Sequence, residues 1–246
     1  MVSIQFGNSN SATSHLVLGT HSQAPSFPVT MSIWFYSNRT AGREPLLSFS
    51  CTDVTNEDVF ELSLTMLSNA TTTSRRVEAA VYDFWNGVVR AQTATGTGAG
   101  WSTNSWVHAA GVFESSTNRV AYLNGGFTGS NITLVNIPEQ ISTFGVNLNV
   151  ATSSGIGTGH DAAGQVVRMA EAAIWDAALT TDEILALSKG AKPKTVRPDS
   201  LIFYSPLVRG NTSKDSIVLE ETGNCPLTVT YTGTPISYTD HTRRYG

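Results

Sequence analysis

The residues from 106 to 126 constrain the fold of this chain most. Trp106-Val-His-Ala-Ala-Gly-Val-Phe113 is apolar on both of its alternating faces, with Trp106, Ala110 and Val112 on one and Val107, Ala109 and Phe113 on the other. A short polar turn, Glu114 to Asn118, leads into a second apolar run, Val120-Ala-Tyr-Leu123, and then into Asn124-Gly125-Gly126. Asn-Gly supplies the positive φ angles that a tight hairpin requires. A strand with two apolar faces sits between two layers. The stretch therefore predicts stacked antiparallel β-structure, and by itself it says nothing of a reaction.

Period-two patterning recurs along the chain. Met31, Ile33 and Phe35 alternate with Thr30, Ser32 and Trp34. In residues 59–66, Phe60, Leu62, Leu64 and Met66 point one way, and Val59, Glu61, Ser63 and Thr65 the other. That is the pattern of a half-buried antiparallel strand, with Glu61 expected in solvent. Further strands are expected at 46–50, 77–84, 88–93, 132–135, 143–149, 166–175, 201–207 and 227–231. Gly-rich turns separate them, as in a sandwich or jelly roll. One helix is expected. Thr180-Thr-Asp-Glu183 reads as a capping box, Ile184 and Leu187 share a face, Gly190 stands at the C-cap, and Pro193 prevents continuation. This helix is expected to cover an edge or end of the sandwich.

The length, 246 residues, suits one large all-β domain or two small ones. Charged residues make up only 14%, the net charge is −4, and no Lys/Arg-rich run exists, which argues against a nucleic-acid partner. No apolar run approaches membrane-spanning length, so no membrane partner is expected. Met-Val-Ser-Ile-Gln-Phe at the start lacks a basic patch followed by an apolar core, so no signal peptide is expected. Cys51 and Cys225 are too few for a disulfide framework or structural zinc. They read as two free buried thiols, with a single bridge as the alternative. His108 lies mid-strand beside Trp106 and Ala110 and reads as a core histidine. The glycine-rich loop from Gly155 to Gly159, before His160-Asp161, lacks the strand-to-helix context of a phosphate loop. A site for sugars would use aromatic platforms with amides on a rim, and Tyr82, Trp85, Asn86 and Trp101 are the candidates on that pattern.

Three ordered stretches resemble the laminin-G-like, concanavalin A-like jelly-roll superfamily. Met31-Ser-Ile-Trp-Phe-Tyr36 is similar to its Ser-x-Trp strand. Trp106-Val-His-Ala-Ala with Val120-Ala-Tyr-Leu-Asn-Gly125 is similar to its Trp-His-His-Val-Ala strand and Leu-Tyr-Val-Asp-Gly hairpin. Met169-Ala-Glu-Ala-Ala-Ile-Trp-Asp-Ala-Ala-Leu-Thr-Thr-Asp-Glu-Ile184 is similar to Ile-Asp-Glu-Val-Arg-Ile-Tyr-x-x-Ala-Leu-Thr-x-x-Glu-Ile, except that Ala170 replaces an acidic residue. The resemblance implies an all-β, concanavalin A-like antiparallel β-sandwich jelly roll with one short helix over residues 1–190. Residues 191–246 would be a C-terminal arm whose strands pack on the sandwich or on a neighbouring subunit.

The resemblance also sets the chemistry to test. Glycoside hydrolases of this fold carry Glu-x-Asp-x-x-Glu on one strand. Here the run is Asn56-Glu-Asp-Val-Phe-Glu61, and asparagine at the nucleophile position cannot form the glycosyl ester. No enzyme is therefore expected. Relatives bind calcium through loop oxygens, and Asp53, Asp58 and Asp161 are the candidate ligands. The ending, Val196-Arg-Pro-Asp-Ser-Leu-Ile-Phe-Tyr-Ser-Pro-Leu207 with Asp240-His-Thr-Arg-Arg-Tyr245, resembles laminin-G-like proteins of tailed bacteriophages. It implies a non-enzymatic virion surface protein, a capsid decoration or fibre component. Such a protein would be made in the host cytoplasm, associate with other virion proteins and with itself as a homo-oligomer, and mediate adhesion. The alternative is a carbohydrate-binding, lectin-like adhesion module, with a glycoside hydrolase third. The arm is the expected docking element, so truncation after Lys194 is expected to leave a folded sandwich and remove association.

Overall fold

A computed structural model of the chain describes residues 2–6, 15–21, 26–39, 42–51, 58–66, 75–83, 87–93, 100–135, 144–148, 167–209, 217–218, 229–232 and 237–240. The strands are β1 (Val2–Phe6), β2 (His15–His21), β3 (Val29–Ser37), β4 (Gly42–Cys51), β5 (Asp58–Met66) and β6 (Arg75–Asp83). Then come β7 (Gly87–Gln92), β8 (Trp106–Ser115), β9 (Asn118–Leu123), β10 (Phe127–Asn131), β11 (Phe144–Leu148) and β12 (Val167–Trp175). After the helix α1 (Thr181–Ser188) follow β13 (Leu201–Ser205), β14 (Val208–Arg209), β15 (Ile217–Val218), β16 (Val229–Thr232) and β17 (Ser237–Asp240). Two sheets stack. The first runs β10-β9-β8-β3-β12-β1-β17, with β13 also on β12, and the second runs β16-β2-β11-β4-β5-β6-β7. The antiparallel jelly-roll sandwich expected from the sequence is the architecture found.

Alternation places one face of each sheet inward. Met31, Ile33 and Phe35 of β3 and Val107, Ala109 and Phe113 of β8 meet Phe60, Leu62 and Leu64 of β5 and Val77, Ala79 and Val81 of β6. Phe60 and Phe113 touch across the gap at 5.0 Å between ring centroids. The sheets come close at Gly111, where a Cβ would lie 3.0 Å from the Ala79 Cβ.

Helix α1 carries the expected capping box: the Thr180 hydroxyl accepts from the Glu183 amide at 3.3 Å, and the Glu183 carboxylate accepts from the Thr180 amide at 2.7 Å. Its end closes as predicted, with Gly190 at φ +95° and the Ala191 amide donating to the Ala186 carbonyl at 3.0 Å. Its position differs from the expectation. Ile184 and Leu187 pack on Ala110, Val112 and Tyr122, so the helix lies on the outer face of the first sheet, not at an edge or end. This explains why β8 is apolar on both sides: one side meets the second sheet, the other meets α1 and the turns after it. Trp175 belongs to the same layer, and its Nε1 donates to the Val196 carbonyl at 2.8 Å.

The Asn124-Gly125 turn sits against that helix. Asn124 has φ +50° and Gly125 φ +71°, as a tight hairpin demands. A Cβ on Gly125 would lie 2.8 Å from the backbone Cα of Leu185. Left-handed strain and overpacking therefore act together in Gly125→Ala, and a loss of about 2–4 kcal/mol is expected in urea denaturation. Gly126→Ala is the control, because nothing lies within 4 Å of the corresponding position.

The C-terminal strands belong to this chain's own sheets. β13 pairs with β12, β16 with β2 and β17 with β1. Phe203 and Leu207 lie in the interior between the sheets. Of the two dispositions expected for residues 191–246, these pairings are of the first kind, strands packed on the sandwich.

Candidate functional site

The expected sugar-site residues do not come together in the described part of the molecule. Tyr82 falls in β6, with its side chain outside the described residues, and Trp85 and Asn86 lie outside them altogether. Trp101 is only 1% exposed. Its indole meets Phe35 edge-on at 5.5 Å, and the Arg75 guanidinium stands 5.4 Å over the ring. Buried in this way it offers no platform to a ligand, and it is corrected to a core residue. Of the calcium candidates, Asp53 and Asp161 lie outside the described residues, as does the side chain of Asp58 in β5. Among the described residues, no group of three or more His, Cys, Asp or Glu could hold a metal ion.

Glu61 also departs from expectation, because it is buried rather than in solvent. It stands on the outer face of the second sheet, opposite Ser48 and Ala80. Ser48, Ser63, Glu78 and Ala80 on that face are buried as well. A single strand's alternation reports which side faces the core; it does not report whether the other side is covered. Glu61 is thus withdrawn from any substrate in solution, whatever its protonation state.

The outer face of the first sheet is different. Its upper half is sealed by α1, while its lower half carries half-buried aromatics. Cross-strand register aligns Trp106 of β8 with Tyr36 of β3, Tyr36 with Arg168 of β12, and Arg168 with Gln5 of β1. Ser237 of β17 continues the row by register. At ~4.8 Å per strand the five positions span roughly 19 Å. The Trp106 and Tyr36 rings lie 6.0 Å apart at 55°, and the Arg168 guanidinium stacks 4.6 Å over Tyr36. A guanidinium over a ring face is held by the ring's quadrupole, which ties β12 to β3 at this point. The turn before β8 supplies an amide: Asn104, at φ +59°, donates its backbone N–H to the Ser37 carbonyl at 2.9 Å and accepts from the Tyr36 hydroxyl at 3.3 Å.

Behind the row, Trp34 meets the His108 ring edge-on at 5.5 Å. His108 is fully buried, with Nε2 2.9 Å from the Ser32 hydroxyl and no hydrogen-bond partner on Nδ1 among the described residues. Burial lowers its pKa from 6.5 to about 3, so the ring is neutral at physiological pH. It is the core histidine expected from the sequence. The arrangement sets the half-buried Trp106 ring beside the exposed Asn104 amide, groups of the kind that stack on and hydrogen-bond a polar ring. The sequence alone did not reveal the row. The available signal was aromatic residues on the phase turned away from the opposite sheet, Trp34 and Tyr36 on one strand and Trp106 on the other.

A family model described as the concanavalin A-like lectin/glucanases superfamily matches residues 8–185. No curated protein matches the chain in sequence. Among solved structures, a native heptameric SAP-like pentraxin from Limulus polyphemus is similar with a TM-score of 0.57 at 16% identity, over 96% of this chain and 94% of that one. A putative carbohydrate binding protein from Bacteroides ovatus gives a TM-score of 0.59 at 16% identity, over 97% of this chain and 59% of that one. The binding domain of Paraclostridial Mosquitocidal Protein 1 gives 0.50 at 15% identity, over 76% and 43%. At these identities the likenesses establish the fold.

Proposed function

The chain belongs to the concanavalin A-like lectin/glucanases superfamily, and from that premise we propose that it is a non-enzymatic, glycan-binding β-sandwich carried on the surface of a bacteriophage particle. The observation that carries the binding half of this reading is the half-buried row of Trp106, Tyr36 and Arg168 on the outer face of the first sheet. Aromatic faces stack on the C–H face of a pyranose, and the Asn104 amide suits its hydroxyls. A protein described as carbohydrate-binding shares the fold, which supports the same reading. The non-enzymatic half is supported by Asn56 at the nucleophile position and by the burial of Glu61. The particle setting is supported by the tail, in which Arg197-Pro198, Tyr204-Ser-Pro-Leu207 and Asp240-His-Thr-Arg243 resemble phage laminin-G-like endings.

A glycan array with the full chain tests the binding half. Trp106→Ala is expected to weaken the selected glycan by about 2 kcal/mol, roughly thirtyfold in Kd, as for a central aromatic anchor. The melting temperature should move little, because the lost cross-strand pair contributes about 0.5–1 kcal/mol. A wild-type chain that binds no glycan removes the reading. Mass spectrometry of purified particles tests the setting, and absence of the chain from them removes that half.

A further inference from the structure

Asparagine followed by glycine occurs twice in the chain, at Asn86-Gly87 and at Asn124-Gly125. Such a pair is chemically labile, because a residue without a side chain lets its backbone nitrogen swing onto the preceding carboxamide carbon. The second pair forms the turn between β9 and β10. Asn124 there is exposed to solvent. The Gly125 N–H donates to no acceptor among the described residues, so no hydrogen bond withholds that nitrogen from reaction. The Asn124 Oδ1 accepts from the His108 backbone amide at 3.1 Å. That donor faces the oxygen on which negative charge gathers when the carboxamide carbon is attacked.

The turn is tied down on both sides. The Asn124 amide donates to the His108 carbonyl at 2.9 Å, so main chain and side chain of one residue together close the end of the β8–β9 ladder. The Gly126 amide donates to the Leu123 carbonyl at 3.2 Å. Helix α1 rests directly on Gly125: a Cβ there would lie 2.8 Å from the Leu185 Cα and 2.5 Å from the Ser188 Oγ. The Ser188 hydroxyl is itself committed to the Leu185 carbonyl at 2.8 Å. The contact between turn and helix thus has no room for one more main-chain atom.

We propose that Asn124 is a modification site, where spontaneous deamidation yields an isoaspartate that dislodges α1. The Gly125 nitrogen gives its proton to solvent base and bonds to the Asn124 Cγ. The Cγ–Nδ2 bond breaks, ammonia leaves with a proton returned from solvent, and a cyclic imide remains. Water then opens the ring at one of its two carbonyls. Opening at Cγ restores the ordinary main chain with an aspartate, whose carboxylate still accepts from the His108 amide. Opening at the main-chain carbonyl leaves an isoaspartate, in which the chain runs through Cβ and Cγ. No electrons are exchanged; amide and water become acid and ammonia. The isoaspartyl turn is longer by a methylene, and that length has to go against Leu185. Because α1 covers Ala110, Val112 and Tyr122, its displacement uncovers the upper half of the first sheet's outer face. The chain thereby carries a clock that runs with age, whatever the aromatic row binds.

The folded full-length chain, aged at mildly alkaline pH and mapped by mass spectrometry with enzymatic methylation to read isoaspartate, tests this. Asn124 is expected to convert several times faster than Asn104, Asn118 and Asn131, each of which precedes a residue with a side chain. The isoaspartyl fraction is expected to melt about 5 °C below fresh protein, the scale of overpacking in a chain of this size. Asn124→Asp, made as an ordinary aspartate, should melt close to wild type, which separates the extra methylene from the extra charge. Asn124→Gly tolerates the positive φ, has no carboxamide and keeps Asn86-Gly87, so ageing it subtracts events at the other pair. It should lose less stability with age than wild type. Conversion at Asn124 no faster than at those three asparagines, an isoaspartyl fraction that melts like fresh protein, or equal losses in wild type and Asn124→Gly overturns the proposal.

Discussion

A chain ending at Lys194 is expected to lose its cooperative fold. This reverses the expectation from sequence that truncation after Lys194 leaves a folded sandwich. Truncation removes β13, and with it Phe203 and Leu207, which are fully buried between the sheets. It also removes the Val196 carbonyl that accepts from Trp175 and the Tyr204 hydroxyl that donates to the buried Glu171 carboxylate at 2.6 Å. Glu171 sits at the bulge of β12 with φ +56°. Two outer strands, β16 and β17, would go too. Phe203→Ala alone is expected to cost about 3–5 kcal/mol, against about 5–15 for a whole domain. The single variant should therefore melt about 10 °C lower and the truncation should show no transition. Far-ultraviolet circular dichroism during heating reads both. A wild-type transition in the truncated chain would mean that the strands after 194 contribute nothing to the core.

The second large effect is acid destabilisation through His108. Its folded pKa is about 3 because burial penalises the charged ring, whereas the unfolded value is near 6.5. Between these values the unfolded chain binds a proton that the folded chain refuses. Stability is therefore fully present above pH 6.5 and falls as the pH drops, by about 1.4 kcal/mol per unit until about pH 3. From pH 6.5 to 5, where most carboxylates remain ionised, the loss attributable to this group is about 2 kcal/mol. His108→Gln keeps a polar partner for Ser32 and removes the titration. It should be less stable than wild type at pH 7.5 and flatter between pH 6.5 and 5. Urea midpoints across that range decide the matter, and parallel slopes for the two proteins would show that His108 is not the source.

How much of this was readable in advance depends on which face of a strand is considered. The inward faces of β3, β5, β6, β8 and β12 were legible because apolar residues at every second position have one cause, contact with the opposite sheet. The capping box and Gly190 were legible because their hydrogen bonds are local. Outward faces were not. Glu61 looked solvated because nothing in its own strand reports the covering of the second sheet. Trp101 looked like a rim residue because it follows a glycine-rich loop, yet Phe35, far off in sequence, encloses it. Residues 132–135 looked like a strand because Ile132 and Leu134 alternate with Thr133. The arm that pairs with β9 is instead Phe127–Asn131, set by the tight turn before it, and the alternating pair faces outward. The Trp106–Tyr36–Arg168 row was invisible for a related reason. Its members come from three distant strands, and cross-strand register is fixed only once the sheet order is known.

The covered polar face of the second sheet bears on how this scaffold can change. Ser48, Glu61, Ser63 and Glu78 stand side by side there, two of them acids, without access from outside. A sugar-cleaving acid pair that used Glu61 would have at least one member without an entrance. A designer or a lineage moving this chain toward hydrolysis would first have to open that side, losing buried polar contacts before any turnover repaid the loss. On the proposed reading, new specificity is reached in fewer steps on the opposite side, where Trp106 and Tyr36 are half-buried, Asn104 is exposed, and each can be varied one at a time.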